Sequence, residues 1–235
     1  MSALPGLFGQ PDPDGRPVLV VAPHPDDEVL GVGGTMARLA RAGHNVHVAV
    51  VTSGQPPRFD AAQIATVRAE AGAAHAHLNI AQTHLLDFPA AELAEHPHGA
   101  LNEGLGDLIR TLDPHTVFAP HPGDIHMDHQ LTFLSTLVAS RPHQARFPTT
   151  ILAYETLSET NWNAPYLTPA FLPNVFVDIT DTLEDKLAAF ACFVSQVRAA
   201  PHERSIQSLH ALATLRGATV HRTAAEGFVL VRAVL

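Results

Sequence analysis

The sequence has little cysteine, little positive charge and no long apolar run. Its single cysteine, Cys192, cannot form a disulfide within the chain. Lysine and arginine total 14 against 23 aspartates and glutamates, giving a formal net charge of −9. The sequence therefore lacks the cluster of lysine and arginine residues with which proteins bind nucleic acids or anionic membranes. No apolar run approaches the ~18 residues of a membrane span, and the start of the chain lacks signal-peptide features. We expect a cytoplasmic protein that binds neither nucleic acid nor membrane.

Apolar residues are plentiful and make up 46% of the chain, enough for a full hydrophobic core. Short valine-rich runs alternate with segments of helical periodicity, which predicts an α/β fold with a mainly parallel sheet and helices on both faces. The predicted strands are Val18–Ala22, Val46–Thr52, His84–Phe88, Thr116–Ala119, Ile151–Tyr154, Val175–Ile179 and Phe228–Val234. The predicted helices are Val29–Ala42, Ala61–His77, Leu101–Leu112, His129–Ser140, Leu183–Arg198 and Ser205–Leu215.

The domain organisation predicted from this pattern is simple. Residues 1–16 form a turn-rich lead-in, and residues 17–235 form a single domain. From about residue 145 the alternation becomes less regular, which indicates a C-terminal α/β elaboration of the same domain.

Two clusters of histidine and carboxylate side chains each follow a predicted strand. His24-Pro25-Asp26-Asp27-Glu28 follows the first strand, and the segment HPGDIHMDH at residues 121–129 follows the fourth. Ligands of open parallel sheets bind at the carboxyl ends of the strands, so both clusters are expected at one rim. Imidazole and carboxylate suit zinc, and catalytic zinc takes three protein ligands and leaves one position for water.

The residues of these clusters can supply the separate roles that a metal-assisted hydrolysis needs, namely metal ligand, general base and oxyanion donor. One of Asp26 and Asp27 can ligate the metal while the other accepts a proton from the attacking water. The spacing of three places His126 and His129 on one face of a helical turn. One of them can ligate, and the other can donate to a developing oxyanion. Asp128 can orient His126 or support a ligand.

The first cluster also has two simpler interpretations. Asp26 or Asp27 can cap the helix that follows. The glycines at 31, 33 and 34 can suggest a nucleotide-binding loop. However, the third glycine of that fingerprint is missing, and the adjacent carboxylates would repel a pyrophosphate. Close packing of the helix on the sheet explains the glycines better, and two clusters at one rim favour a metal site over capping.

The same motifs carry a family resemblance. The sequence PHPDDE followed by Gly-x-Gly-Gly, with a distal His-x-Asp-His, resembles the PIG-L/LmbE-like family of zinc-dependent N-acetylglucosamine deacetylases. This family includes the deacetylases of mycothiol and bacillithiol biosynthesis. The resemblance extends over most of the chain, through Thr52-Ser53-Gly54, Arg68-Ala69-Glu70 and the segment 173–179. It implies a Rossmann-like fold and one Zn²⁺ per chain, with Fe²⁺ or another divalent metal as an alternative.

The resemblance also implies a role for each matching residue. The implied metal ligands are His24, Asp27 and His129. Asp26 is the implied general base that deprotonates the water. His126 is implied to stabilise the oxyanion or protonate the departing amine, and Asp128 to orient it. Which of Asp26 and His126 delivers the proton to the amine is open at this point.

Two positions depart from the family pattern. Val67 stands three residues before Glu70, where an arginine is common, and Gln55 stands where an acidic residue often follows the Thr-x-Gly turn. The sugar's aglycone is therefore open. The candidate substrate contacts are Arg58, Arg68, Trp162, Arg204 and Glu226, and a structural role is an equal alternative for each.

The function predicted from the sequence is that of a metal-dependent N-deacetylase. It would remove an acetyl group from a small GlcNAc-type conjugate and, like relatives, form a homo-oligomer. One alternative is a non-haem Fe(II) oxygenase, because His24, Asp26 and a distal histidine fit a facial triad. Another is a catalytically silent protein that binds metal or sugar. The presence of both Asp26 and His126 speaks against the silent alternative, since binding needs neither base nor acid.

Overall fold

The structure, a computed structural model, describes residues 10–235, so residues 1–9 of the predicted lead-in lie outside the described residues. These described residues form one seven-stranded sheet and six helices. The strands are β1 (Val18–Ala22), β2 (Val46–Ser53), β3 (Gln82–Pro89), β4 (Thr116–Pro120), β5 (Thr150–Tyr154), β6 (Val175–Asp178) and β7 (Ala225–Ala233). The helices are α1 (Asp27–Arg41), α2 (Ala61–His77), α3 (His98–Leu112), α4 (Met127–Ala139), α5 (Leu183–Ala191) and α6 (Ile206–Thr219).

The strand order is β3-β2-β1-β4-β5-β7-β6. Strands β1 to β5 pair in parallel, and β7 lies antiparallel between β5 and β6. The predicted mainly parallel α/β sheet is confirmed. The chain adds β2 and β3 on one side of β1, then β4 and β5 on the other. The direction in which strands are added therefore reverses between β1 and β4. Ligands of such sheets bind at this position, beyond the carboxyl ends of the two strands.

Two apolar clusters separate the faces of the sheet. Val18 and Val20 of β1 belong to a cluster with α1, α2, α5 and α6. Leu19 and Val21 belong to a second cluster with α3 and α4. Successive strand residues point to opposite faces, so a continuous apolar run serves both layers. The predicted helices on both faces are confirmed, and none of the helices in residues 10–235 is long and apolar enough to cross a membrane.

The glycines of α1 serve close packing. A Cβ at Gly31 would lie 2.2 Å from the ring of Tyr154 in β5, and one at Gly34 would lie 2.7 Å from Ile179. Side chains therefore occupy the space that a larger residue would need. The packing interpretation of the glycine-rich segment is confirmed over the nucleotide-binding one.

Among the predicted helix boundaries that differ from the structure, two have a clear physical reason. Helix α1 begins at Asp27 rather than Val29, because the carbonyl of Asp26 already accepts from the backbone N–H of Leu30 at 2.9 Å. Helix α5 ends at Ala191, whereas the apolar pattern predicted a helix to Arg198. The chain turns beyond α5, where Glu70 of α2 accepts hydrogen bonds from both the backbone N–H and the hydroxyl of Ser195. The prediction of a longer α5 was wrong.

Candidate active site

The two polar clusters meet at the carboxyl ends of β1 and β4. One ligand atom from each of His24, Asp27 and His129 lies within 4.8 Å of the others. Asp27 Oδ2 is 3.2 Å from His24 Nδ1 and 3.2 Å from His129 Nε2. Donor atoms that share one tetrahedral zinc ion lie about 3.3 Å apart, from zinc–ligand bonds of ~2.0–2.1 Å. The three side chains are therefore spaced as a metal would hold them.

A carboxylate orients each imidazole of this set by contacting the ring nitrogen that points away from Asp27. His24 Nε2 donates to Asp128 Oδ2 at 2.9 Å, and His129 Nδ1 donates to Asp124 Oδ2 at 2.8 Å. In the neutral ring, a proton on the far nitrogen leaves a lone pair on the nitrogen that faces Asp27. Metal-ligating histidines are commonly oriented by such a carboxylate.

Two polar atoms in this set lack a hydrogen-bond partner among the described residues. Asp27 Oδ1 and His129 Nε2 are both buried without a hydrogen bond, which is uncommon for buried polar atoms. A second group, His24 with His126 and Asp128, also has metal-binding spacing. In that group, however, Asp128 Oδ2 is bonded to His24 Nε2, His126 Nδ1 accepts from the backbone N–H of Asp128, and no buried ligand atom lacks a partner. The set around Asp27 therefore fits a metal better.

The histidines and carboxylates of this set shift one another's pKa towards the charged form. Burial lowers the pKa of His24, but hydrogen bonds to Asp128 and Asp27 outweigh it and raise the value to about 9. Burial likewise opposes the charge on His129, yet Asp27 and Asp124 raise its pKa to about 10. The same histidines keep the pKa of Asp27 well below its usual range, against the effect of burial. Protons and a metal cation would compete for these nitrogens.

Asp26 is placed differently from its neighbour. It is 2% exposed and lines the adjoining cavity, and its Oδ2 accepts from Arg204 Nη1 at 2.7 Å. Although Asp26 occupies the N-cap position of α1, its side chain makes no capping hydrogen bond, so the capping interpretation is wrong for it. Burial raises its pKa to about 8, with Arg204 opposing and Asp27 and Glu28 adding to the rise. Such a carboxyl group can exchange a proton near neutral pH.

His126 presents a hydrogen-bond donor to the same cavity. Its Nδ1 accepts from the backbone N–H of Asp128 at 3.1 Å, so the proton of the neutral ring sits on Nε2. Burial, helped by the charge of His24, lowers its pKa and favours that neutral form. The residues left two roles open for Asp128, orienting His126 or supporting a metal ligand, and the resemblance implied the first. In the structure the carboxylate of Asp128 contacts His24 instead, and only its backbone N–H contacts His126.

A cavity of about 350 Å³ opens beside these residues. Of the candidate substrate contacts, Arg68 and Arg204 line it, while Arg58, Trp162 and Glu226 do not. Glu226 is 4% exposed, and its carboxylate pairs with Lys186 at 2.5 Å. The expectation of a substrate contact is therefore corrected for Glu226, because its oxygens are committed inside the protein.

Several residues of the site were not assigned by sequence reasoning. Asp124 lies inside the second cluster, five residues before His129, and that proximity was a usable signal. Glu159 lines the cavity and faces Arg204 at 3.7 Å. Burial raises the pKa of Glu159. No motif marks Glu159, because its loop follows β5 without a recognisable pattern.

Comparison with known proteins agrees with this geometry. Residues 19–140, just over half of the chain, match the family described as GlcNAc-PI de-N-acetylase, PIG-L. The chain belongs to the PIG-L family. The matched residues include both polar clusters, so the family assignment rests on the segments that build the site.

Relatives in this family share most of their length with the chain. A diacetylchitobiose deacetylase of Thermococcus kodakarensis is 30% identical over 205 residues, covering 83% of this chain and 76% of the relative. A 1D-myo-inositol 2-acetamido-2-deoxy-alpha-D-glucopyranoside deacetylase of Mycobacterium sp. (strain JLS) is 27% identical, covering 80% and 76%. The crystal structure of a conserved protein from Thermus thermophilus is 26% identical, with a TM-score of 0.76, covering 93% of this chain and 96% of that one.

Proposed function

We propose that this chain is a zinc-dependent hydrolase that removes the N-acetyl group from a GlcNAc-type sugar conjugate. The observation that carries the proposal is the arrangement around Asp27. Two carboxylate-oriented histidines converge on it, while Asp26 beside it faces the cavity. The relatives named as deacetylases of acetamido sugars support the same reaction. The family and the fold do not favour the oxygenase alternative.

The residues that would hold the metal are His24, Asp27 and His129. When bound, the metal supplies a Lewis acid that polarises the acetyl carbonyl and acidifies the attacking water. The chemistry of the donor set favours zinc, and Fe²⁺ is the alternative that metal analysis would reveal.

The proton path uses Asp26 and His126. Asp26 accepts a proton as the water oxygen bonds to the acetyl carbon. His126 donates a hydrogen bond from Nε2 to the carbonyl oxygen as negative charge develops there. Asp26 then returns its proton to the amine nitrogen as the C–N bond breaks, and acetate and the free amine leave. The raised pKa of Asp26 suits both transfers.

The rest of the substrate would lie in the remaining part of the cavity. One wall there is apolar, built by Phe59, Ile64 and Val67, and Arg68 stands next to it. The relatives act on an inositol conjugate and on a chitobiose by their names. We propose a small GlcNAc-type conjugate whose aglycone contacts this wall.

The test is acetate release from a panel of GlcNAc glycosides that differ only in the aglycone, with and without a chelator. We expect chelator-sensitive acetate release from at least one member. The absence of such acetate from every member would contradict the proposal, and it would leave the metal-binding or sugar-binding alternative.

We further propose that the protein works in the cytoplasm as a homo-oligomer and binds neither nucleic acid nor membrane. The net charge of −9 supports the absence of nucleic-acid binding. The family resemblance supports the oligomer. A mass measurement by light scattering tests it, and a monomer at micromolar concentration would contradict it.

A further inference from the structure

The backbone of Asp26 is in an unfavourable conformation. Its φ is 117° and its ψ is −27°, a left-handed region that a residue with a Cβ seldom adopts. Such a conformation is unfavourable and persists only where surrounding contacts hold it. The side chains on either side of this peptide go to different partners, Asp26 to Arg204 and Asp27 to the two histidines. The left-handed bend of the backbone at Asp26 therefore lies where the side chain of the proposed base, Asp26, diverges from that of the proposed metal ligand, Asp27.

A buried carboxylate holds this bend. Glu28 is 0% exposed, and its Oε2 accepts from the backbone N–H of Asp26 at 3.1 Å. The other oxygen, Oε1, lies 3.0 Å from Nε2 of His75. No role was assigned to Glu28 from the sequence. The structure shows that both of its oxygens have specific partners.

His75 connects this carboxylate to the neighbouring strand. It lies in α2 and is 4% exposed. Its Nδ1 is 2.7 Å from the hydroxyl oxygen of Thr83 in β3. An unbroken set of contacts thus runs from Thr83 through His75 and Glu28 to the peptide N–H of Asp26. Because 47 residues separate His75 from Glu28, no local motif connects them.

We propose that His75 is a positioning residue for the base Asp26 and acts through Glu28. By fixing the Glu28 carboxylate, it holds the Asp26 peptide in the left-handed conformation that presents the Asp26 side chain to the cavity. This inference rests on the proposed function in assigning Asp26 as the base. His75 is neither a proposed metal ligand nor one of the residues that line the cavity.

The test compares two substitutions at one position. His75→Phe keeps a ring but loses both hydrogen bonds, whereas the amide nitrogen of His75→Gln can still donate to Glu28. We expect His75→Phe to lower kcat about 10–100-fold, the scale expected of a displaced catalytic group, with KM and zinc content unchanged. We expect His75→Gln to recover most of kcat.

A matched control separates positioning from stability. Leu78→Ala removes a buried side chain, 1% exposed, at the C-terminal end of α2. It should destabilise the same packing without touching Glu28, so its kcat per folded molecule should equal that of the wild type. The inference is overturned if His75→Phe keeps its kcat, if His75→Gln falls as far as His75→Phe, or if Leu78→Ala falls equally.

A second readout keeps the inference testable without substrate. Amide hydrogen exchange at Asp26, followed by NMR on the zinc-loaded protein, should be slow in the wild type and in His75→Gln. It should be at least about tenfold faster in His75→Phe, which has lost the partner of Glu28. Equal exchange in all three proteins would refute the inference even if no glycoside were deacetylated. Absence of acetate from the wild type would count against the proposed function alone.

Discussion

Two clusters of buried charge lie against α1, and they differ in how completely their polar atoms are paired. In the first, Lys186 Nζ donates to the carbonyl of Leu30 at 2.8 Å and to Glu226 at 2.5 Å. The carboxylate of Glu226 also accepts from the backbone N–H groups of Gly34 and Thr35. The cavity that Lys186 and Glu226 line measures about 10 Å³.

The second cluster, around Asp27, is built from the same kinds of groups but remains open. Asp27 Oδ1 and His129 Nε2 have no hydrogen-bond partner among the described residues, and the cluster adjoins a cavity of about 350 Å³. A fully paired buried cluster stabilises the fold, while an open one beside a cavity is suited to binding. Because the polar atoms around Glu226 are paired, we assign Glu226 to the structural cluster, although the sequence suggested a substrate contact for it.

The largest effect is expected from His129→Ala. Loss of one of three proposed ligands should remove the metal and reduce acetate release to background. Metal content by mass spectrometry and acetate release by enzymatic assay check this. His143→Ala, at an exposed histidine, is the control and should change neither quantity. A His129→Ala protein that keeps one equivalent of metal would exclude His129 as a ligand.

Asp26→Asn should keep the metal and lose turnover. The amide cannot accept the water proton, so kcat should fall roughly 10²–10⁴-fold, the range of general base catalysis. The measurement is kcat together with metal content and thermal stability. If kcat were unchanged in the metal-loaded variant, Asp26 would not be the base.

A smaller effect is expected from Asp124→Asn. The amide still reaches His129 Nδ1 but no longer carries the charge that orients and polarises the ring. Zinc affinity should fall about 10–100-fold, as for other residues behind a ligand. Competition with a chromogenic chelator measures this, with the exposed Asp107→Asn as control. Equal affinities of the two variants would argue against the role of Asp124.

The smallest effect on catalysis, and a large one on stability, is expected from Lys186→Met. Leaving Glu226 buried without its cation should cost about 3–5 kcal/mol of unfolding free energy, while kcat per folded molecule stays unchanged. Denaturant unfolding and kinetics check both parts. Adding Glu226→Leu should recover stability if the pair is structural. A specific fall in kcat would instead place this cluster in the active site.

The fold was largely predictable because its signals are local. The bounds of β1 and α2 agree with the sequence prediction, since a bounded valine run and an alanine-rich segment need little tertiary context. The end of α5 was not predictable. Its apolar pattern continues past Ala191, and the contact of Glu70 with Ser195 comes from a distant helix.

The sequence predicted the two motifs of the candidate site and their meeting at the carboxyl edge of the sheet. It did not predict which side chains contact each other there. Both clusters meet where the strand order placed them, because parallel strands share one carboxyl edge. The partner of Asp128 was not predictable, since the carboxylate reaches His24, 104 residues away, rather than its neighbour His126. The contact of Glu28 with His75 is hidden for the same reason.

The central claim is that one metal ion, held at His24, Asp27 and His129, is needed for acetate release. The most direct measurement is titration of zinc into the chelator-treated protein while acetate release from a GlcNAc glycoside is followed. The account predicts activity that rises linearly and saturates at one equivalent per chain, with no rise in His129→Ala. Full activity before zinc is added, or an equal rise in His129→Ala, would contradict it.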